Sequence, residues 1–328
     1  MLNAAIVGLG WWGRVLVSSV QGKSERIRFT RGVTLEPQAA EAFARQHALR
    51  VDTSLGEVLA DPSIDTVVLA TPHSQHVEQI VQVAAAGKAV FCEKPLAFSA
   101  VQARRALQAC ETAGVTFGLG HDKRWAPAVQ ALAELVADGR LGEVLHVEGQ
   151  YSNDFSSQGL TGAWRESRVE TPAGGLTGPG LHVLDAMLAI AGPAARVAGV
   201  LHEKEQGGVP ADAVALLVQL QGGATGTLTS VRGVPDIFRL LVCGTRGWAE
   251  VTAMDELRIA LKGHSPEQRR FGAFDSVRGA LEAFAAAAQG GPAFPIPRTH
   301  MLRTACALEA ALQAIATGRW IEVSPESP

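Results

Sequence analysis

The sequence predicts an α/β protein with an N-terminal, doubly wound parallel sheet and a C-terminal α+β domain built on an open, mostly antiparallel sheet. Three observations predict this fold class. Short apolar runs alternate with helical patterns as far as residue 120, which is typical of a parallel sheet with helices on both faces. The glycine-rich turn GLGWWG joins the first apolar run to the first helical pattern. Beyond residue 122, longer runs of alternating polarity are separated by turn residues, which favours antiparallel strands.

The first half contains five predicted strands, each a short apolar run bounded by turn residues. They are AAIVG (4–8), IRFTRGVTL (27–35), IDTVVLAT (64–71), KAVFCEK (88–94) and VTFGLG (115–120). Helical patterns run from Trp12 to Val20, over PQAAEAFARQHA, from Ser74 to Gly87 and from Ser99 to Gly114. Serine caps helices and glycine ends them, so the residues themselves indicate several of these boundaries.

The second half begins with a predicted helix from Ala126 to Ala137 and a long alternating strand, EVLHVEGQYS. AVALLVQL and ATGTLTSV flank QGG and predict a hairpin. Further strands are predicted over FRLLVCG, WAEV and ELRIAL, and Ala-rich helices near 276–288 and 299–316. We therefore expect two domains, 1–121 and 122–328, with a C-terminal helix as a candidate to pack back on the first.

The composition excludes several classes of partner. A net charge of −3 over 328 residues gives no electrostatic reason to expect nucleic acid or an anionic membrane surface. The N-terminus lacks a charged leader with a cleavable apolar segment, and no apolar stretch reaches the length of a membrane span, so we expect a cytoplasmic protein. The cysteines form no CxxC pair, so we expect reduced core thiols and no metal site; they are Cys92, Cys110, Cys243 and Cys306.

The turn GLGWWG (residues 8–13) follows a strand and opens a helix, which is the setting of a dinucleotide-binding turn. Residues without a Cβ atom allow the N–H groups of the first helical turn to approach a pyrophosphate. The alternative is a glycine-rich turn with a purely structural role. The strand–turn–helix context favours binding. The candidate cofactor residues here are Gly8, Gly10, Trp11, Trp12 and Gly13.

The end of the second strand bears on the choice between NAD and NADP. An acidic residue about 20 residues after the turn would bind the ribose 2′-hydroxyl of NAD. Thr34 stands at that strand end, with Glu36 and Arg31 nearby. Without a clearly placed carboxylate a 2′-phosphate is not repelled, and Arg31 or Arg14 is a candidate to meet it. We therefore expect NAD or NADP, leaning to NADP, with Thr34 at the ribose.

Glu93-Lys94-Pro95 ends an otherwise apolar strand, where buried charges are costly unless they are paired or used. Lysine offers three donors and a movable charge. Lys94 is therefore suited to bind a substrate hydroxyl and to stabilise charge on its oxygen as a hydride leaves. The X–Pro bond in such a turn is a candidate for the cis form. The structural alternative is an ion pair at the strand end.

GGLTGPGLHVLD (174–185) places glycines and a proline before a helix that begins near His182. His182 and Asp185 are three residues apart and share one helical face. Histidine changes charge near neutral pH and is therefore suited to act as a general base. The alternative is a core or surface histidine without a catalytic role.

Together these motifs resemble the Gfo/Idh/MocA family of NAD(P)-dependent oxidoreductases over essentially the whole chain. The resemblance rests on GLGWWG, ATPHSQHVEQ, EKP, GHDKRWAPAV at the start of the second domain, Trp164-Arg165, GG…GxHxxD and the closing TGRWIEV. EKP and GxHxxD at these spacings are the specific part, because GxGxxG occurs in many other families.

The resemblance implies a Rossmann domain followed by a domain whose open sheet forms homodimers or homotetramers. It implies hydride transfer between nicotinamide and a secondary alcohol of a sugar, an inositol or a related polyol. Lys94 would contact the reacting hydroxyl, His182 would accept its proton, and Glu93 would position Lys94 or the nicotinamide. The other implied or candidate residues are Thr71, Pro72 and His76 at the nicotinamide pocket and Arg165, Tyr151 and His121 at the substrate.

One departure from the family pattern lies four residues before His182, where many members carry an aspartate and this chain has Gly178. Without that carboxylate, nothing evident in this segment orients His182, and Asp185 lies on its other side in the sequence. The absence favours an alternative, a dinucleotide-binding sensor without catalysis on the same fold. The presence of both Lys94 and His182 favours the enzyme, because a sensor needs neither. A reductase of a ring or imine substrate is a third reading, since it needs Lys94 less.

Overall fold

The computed structural model describes residues 1–154, 164, 167–206 and 209–323 of the 328-residue chain. The chain divides into two compact units. The first comprises Met1–His121 and Val277–Met301, and the second comprises the described residues of Asp122–Ser276 and Leu302–Pro328. A segment from late in the chain thus belongs to the unit that begins at the N-terminus.

The first unit alternates strands and helices. Its strands are β1 Leu2–Val7, β2 Ile27–Val33, β3 Arg50–Asp52, β4 Thr66–Leu69, β5 Ala89–Glu93 and β6 Phe117–Gly120. Its helices up to residue 121 are α1 Trp11–Val20, α2 Pro37–Gln46, α3 Leu55–Leu59, α4 His76–Ala85 and α5 Ala100–Thr112. The strands pair in parallel in the order β3-β2-β1-β4-β5-β6, which confirms the predicted doubly wound sheet. The order reverses between β1 and β4, and open α/β sheets bind ligands at that point.

Strand β3 is the one strand of this sheet that the sequence does not predict. It has three residues and lies at the edge of the sheet beside β2. Arg50 is exposed and Asp52 is buried, so the strand offers no apolar run. Prediction from hydrophobic periodicity therefore has nothing to detect there.

Helix α8 (Ser276–Ala288) packs onto the sheet of the first unit through aromatic side chains. The ring centroids of Phe284 in α8 and Phe91 in β5 lie 5.4 Å apart. Gly118 in β6 makes this packing feasible, because a Cβ atom at position 118 would lie 2.8 Å from both rings. Interiors are packed too densely to absorb such an overlap, so the glycine is required for α8 to lie where it does.

The second unit is built on a mixed sheet. Its strands are β7 Val144–Ser152, β8 Ala194–Gln206, β9 Val209–Leu220, β10 Thr225–Val231, β11 Ile237–Gly244, β12 Gly247–Ala253, β13 Glu256–Leu261, β14 Glu267–Arg270 and β15 Ile321–Glu322. Its helices are α6 Pro127–Ala137, α7 Pro179–Ala191 and the greater part of α9 Arg298–Thr317. The strand order is β14-β13-β12-β11-β7-β10-β9-β8-β15.

The predicted open, mostly antiparallel sheet is confirmed, with differences in detail. The predicted hairpin is present as β9–β10, whose strands pair antiparallel. Strands β10 and β7 pair in parallel, because α7, β8 and β9 intervene and return the chain in the same direction. The sequence does not predict β8, β14 or β15. Strand β14 reads EQRR and contains no apolar residue, which explains why no pattern indicates it.

Helix α7 lies close against β7 because Gly149 in that strand has no side chain. A Cβ atom at position 149 would lie 2.1 Å from Cγ1 of Val183 and 2.8 Å from Sδ of Met187. Both of those side chains are buried. This contact fixes the first turns of α7, which carry His182, relative to β7.

Within the described residues, no helix combines the length and the apolar character needed to cross a bilayer. Nor does any group of three or more His, Cys, Asp or Glu side chains in that part of the chain have an arrangement that would hold a metal ion. Burial raises the pKa of the Cys110 thiol to about 11, so this buried residue is a protonated thiol at neutral pH.

Candidate active site

The three glycines of the turn after β1 have different surroundings. Gly8 has a φ of +98°, and a Cβ atom there would lie 2.5 Å from the carbonyl oxygen of Ala70. A Cβ atom at Gly13 would lie 1.8 Å from the carbonyl oxygen of Gly8. At Gly10, by contrast, a Cβ atom would meet no described atom within 4 Å. The first and third glycines are therefore needed to form the turn, whereas the second leaves room beside it.

The open space at Gly10 lies at the start of α1. Gly10 is the N-cap of that helix, and the first turn carries no acidic residue that would occupy its N–H groups. The rings of Trp11 and Trp12 follow at 5.3 Å between centroids. The indole Nε1 of Trp12 is buried and has no hydrogen-bond partner among the described residues. Open space at a helix N-terminus and a buried donor fit a bound pyrophosphate with its nucleotide.

Replacing Gly10 with alanine is expected to weaken NAD(P)H binding about tenfold or more without lowering the thermal midpoint. The added methyl group enters the space where the pyrophosphate approaches the helix and touches no described protein atom. Gly13→Ala is the matched comparison, because its methyl group collides with the Gly8 carbonyl and should lower the midpoint. Fluorescence titration and thermal unfolding of both variants provide the measurement. Unchanged cofactor binding by Gly10→Ala would contradict a pyrophosphate site beside Gly10.

The strand end that faces the ribose in such folds gives no support to the expected preference for NADP. Arg31 is buried and forms ion pairs with Asp52 and Asp61. Arg14 donates to the carbonyl oxygens of Leu9 and Ala39. The Arg31 guanidinium is therefore already paired with carboxylates, and that of Arg14 is partly bonded to backbone carbonyl groups.

Thr34, at the same strand end, is half-buried and is held by the backbone around it. Its N–H donates to the carbonyl oxygen of Asp52, and its hydroxyl oxygen accepts from the N–H of Glu36 at 3.1 Å. Among the described residues, no carboxylate group contacts the side chain of Thr34. The choice between NAD and NADP is left open by this geometry.

His76 connects the ends of two strands in the first unit. It is fully buried, with Nδ1 2.7 Å from the carbonyl oxygen of Pro95 and Nε2 3.1 Å from that of Thr71. The Thr71 hydroxyl donates to Gln79 in α4 at 2.6 Å. Pro72 precedes the short helical turn that leads into α4. His76 thus ties the loop after β4 to the loop after β5, where Lys94 lies.

The loop after β5 carries the charged pair of the sequence. Glu93 is buried and pairs with Gly120 in β6. A Cβ atom at Gly120 would lie 2.5 Å from Oε1 of Glu93, so the carboxylate lies over the face that the glycine leaves free. Lys94 is half-buried, and the Lys94–Pro95 bond is cis, as the sequence predicts.

His182 lies in the first turns of α7, in the second unit, and is 7% exposed. Its Nδ1 is 3.5 Å from Oδ1 of Asp122. Asp122 is 2% exposed, and its Oδ2 accepts from Lys123 Nζ at 2.8 Å and from Ser276 Oγ at 3.0 Å. The sequence analysis missed Asp122 and Lys123, although both belong to the motif GHDKRWAPAV, which it quotes.

Tyr151 at the end of β7 completes this group. Its ring centroid lies 6.2 Å from that of His182. Burial raises the pKa of the Tyr151 phenol, with Asp122 contributing in the same direction and Lys123 opposing it. The phenol is therefore neutral at physiological pH and is able both to donate and to accept a hydrogen bond.

Two further predicted substrate residues are His121 and Arg165. His121 is buried, ends the first segment of the first unit, and donates its N–H to the carbonyl oxygen of Leu119. Arg165 lies outside the described residues. Arg124 donates to both carboxylate oxygens of Asp185, at 2.6 and 3.1 Å. Since Asp185 is fully buried, this ion pair anchors the start of the second unit to α7.

The glycines before α7 are held by a second buried carboxylate. Gly174 has a φ of +50°, and a Cβ atom there would lie 2.3 Å from Oδ2 of Asp212. The N–H of Gly175 donates to Oδ1 of Asp212 at 2.8 Å. Gly178, in contrast, has room for a side chain, because a Cβ atom there would meet only the Gly175 carbonyl oxygen at 3.8 Å. The missing family aspartate is thus not excluded by packing.

Comparison with known proteins places this geometry in a family. The sequence profile described as an oxidoreductase family with an NAD-binding Rossmann fold matches residues 2–121, and the profile of the GFO/IDH/MocA C-terminal domain matches residues 129–250.

The individual relatives have low sequence identity to this chain. The chain is 27% identical to trans-1,2-dihydrobenzene-1,2-diol dehydrogenase of Bos taurus over 70% of this chain and 68% of that protein. It is 34% identical to inositol 2-dehydrogenase of Rhizobium meliloti over 42% of each chain. Other curated relatives are matched over about half of their own length.

The solved structure of levoglucosan dehydrogenase in complex with NADH and levoglucosan superposes with a TM-score of 0.86 at 22% identity, covering 99% of this chain and 100% of that one. At this identity the likeness shows the fold alone. The two sequence profiles, in contrast, cover both domains. The chain therefore belongs to the Gfo/Idh/MocA family of oxidoreductases with an NAD-binding Rossmann fold.

Proposed function

We propose that this protein transfers a hydride between a nicotinamide cofactor, NAD or NADP, and a secondary alcohol of a sugar, an inositol or a related polyol. The observation that carries the proposal is the buried imidazole of His182 beside the carboxylate of Asp122. The same chain has open space beside Gly10, at the N-terminus of α1, for a pyrophosphate. Relatives named as dehydrogenases of a diol and of inositol support an alcohol as the substrate.

The roles of the side chains follow from their chemistry. When bound, nicotinamide accepts a hydride from the carbinol carbon or returns it. The Lys94 ammonium donates a hydrogen bond to the substrate oxygen and stabilises the charge that develops on it. His182 accepts the hydroxyl proton, so that the C–O bond becomes a carbonyl, and returns the proton in the reverse direction. Tyr151, as a neutral phenol, offers a further hydrogen bond to a polyhydroxylated substrate.

The rival function, a dinucleotide-binding sensor without catalysis, loses the observation that favoured it. That observation was the absence of a carboxylate beside His182 in its own segment. Asp122 provides one from another segment, 3.5 Å from the imidazole. A sensor needs no such pair.

The deciding experiment is a screen of sugars, inositols, diols and sugar acids with NAD⁺ and with NADP⁺. Appearance of reduced nicotinamide with at least one alcohol, and its loss in Lys94→Ala, would support the enzyme. The cofactor titration is run in parallel by fluorescence. Tight binding of reduced cofactor without turnover of any member of the panel would favour the sensor and overturn the proposal.

We also propose that two or four copies of the chain associate through the open face of the second unit's sheet. Buried and accessible residues alternate along β9, and Leu217 on the accessible side is 53% exposed. Val200 on the neighbouring β8 is 67% exposed. A second copy would cover these apolar side chains. A mass of twice or four times 34.4 kDa by light scattering is expected, and a monomer at micromolar concentration would contradict the association.

A further inference from the structure

We infer that Asp122 is the positioning residue of His182: it keeps the proton on Nδ1 and thereby leaves Nε2 as the proton acceptor. The inference rests on the proposed function, because it assigns a residue to the proton-transfer step. It replaces the carboxylate that position 178 lacks with one that lies 60 residues before His182, at the opening of the second unit.

The contacts of Asp122 direct one of its oxygens toward His182. Lys123 and Ser276 both donate to Oδ2. Oδ1 has no hydrogen bond of its own among the described residues, and it is this oxygen that lies 3.5 Å from Nδ1. The distance is at the outer limit of a hydrogen bond. Catalytic hydrogen bonds are often long without substrate and shorten in the complex.

Burial strengthens the interaction between Asp122 and His182. Asp122 and His182 are 2% and 7% exposed, so water competes little for either group. An ionised carboxylate only accepts hydrogen bonds, and the Lys123 ammonium lies 2.8 Å from Oδ2 of Asp122. The ring nitrogen that faces it is therefore the one that carries the proton. The same logic fixes the tautomer of the histidine in serine hydrolases.

The other charged groups near this part of α7 do not offer an equivalent acceptor. Helix α7 packs against the turn 122–125, α6, β7, β10 and the turn 174–176. Among the described residues, Tyr151, 6.2 Å from His182 between ring centroids, and the Asp185–Arg124 ion pair also lie near this part of α7. Asp185 accepts from Arg124 and from Thr304, which occupy its two oxygens.

The test is Asp122→Asn in the full chain, with Asp185→Asn as the matched control. Both substitutions replace a buried carboxylate by an amide of the same shape. Asp122 lies 3.5 Å from the imidazole of His182, and Asp185 follows His182 by three residues in α7. The first readout is the ring tautomer of His182 by ¹⁵N NMR of histidine-labelled protein, assigned with His182→Asn, without any ligand. The second is kcat and KM with the alcohol that the screen identifies.

In the wild type we expect the proton on Nδ1. In Asp122→Asn the amide group can donate to Nδ1, so we expect the proton to move to Nε2 and kcat to fall by at least about 10²-fold with little change in KM. Asp185→Asn should lower the thermal midpoint and leave the tautomer as in the wild type. An unchanged tautomer in Asp122→Asn, an equal change in Asp185→Asn, or an undiminished kcat would overturn the inference. Because the NMR readout needs no turnover, it decides this inference even if the screen finds no substrate.

Discussion

Lys94→Ala is expected to lower kcat by about 10²- to 10³-fold, the usual loss when one donor to a developing oxyanion is removed. Lys94 directly follows the buried carboxyl end of β5 and is itself half-buried, and open α/β sheets bind ligands beyond the carboxyl ends of their strands. The dissociation constant of reduced cofactor should change little, because the pyrophosphate site proposed above lies at the glycine turn after β1 and not at Lys94. Stopped-flow turnover and a fluorescence titration on the same preparation separate the two effects.

Lys88 provides a matched control at the other end of the same strand. It is 7% exposed, and its Nζ donates to the carbonyl oxygens of Asp61 and Ile64 at 2.8 Å each. Lys88→Ala should therefore lower the free energy of unfolding but leave kcat per folded molecule unchanged. If Lys94→Ala retained most of its turnover, Lys94 would be removed from the mechanism, whereas a loss in both variants would indicate damage to the sheet.

Much of the fold of the first unit was predictable because the residues that determine each strand and turn are close together in the sequence. Parallel strands covered on both faces read as continuous apolar runs, and the glycines of the turn after β1 are adjacent in sequence. The cis Lys94–Pro95 bond, for which proline made this position a candidate, likewise involves two neighbouring residues. The missed strands are those without an apolar run, namely three-residue β3 and polar β14.

The errors at the site have a different cause, since each depends on contacts between distant segments. Arg31 appeared available for a phosphate, but Asp52 and Asp61 pair with it from 21 and 30 residues further along the chain. Asp122 was overlooked because no spacing in sequence links it to His182. Chain folding sets both contacts, and no local pattern reports which carboxylate a buried cation or imidazole will meet.

The position of the carboxylate also changes how Gly178 is understood. From sequence alone, its place in the family pattern favoured a dinucleotide-binding sensor without catalysis. In the structure a side chain fits there, yet the neighbouring histidine already faces Asp122. A carboxylate can therefore reach an imidazole from another element while the helix-borne position is left without one. Function in such a site depends on the group in place, and not on the segment that supplies it.

His182→Asn is expected to lower kcat by about 10²- to 10⁴-fold, the range attributed to a positioned general acid or base. Protonation of the imidazole removes the base, so alcohol oxidation by the wild type should slow as the pH is lowered. The variant should lose this limb of the pH profile while its cofactor affinity is retained. His146→Asn on β7 is the matched control: that imidazole is partly exposed, lies 2.8 Å from the Thr225 hydroxyl, and should have no effect on turnover.

The double variant Lys94→Ala/His182→Asn tests whether the two groups act on one hydroxyl. Losses from independent groups multiply, whereas groups that act as a unit give a double variant scarcely worse than the more damaging single one. We expect the second result, because in the proposed mechanism the ammonium and the imidazole act on the two products of a single O–H cleavage. A fully multiplicative loss would mean that they serve different steps, and His182 would then have to be assigned a role apart from the proton of the reacting alcohol.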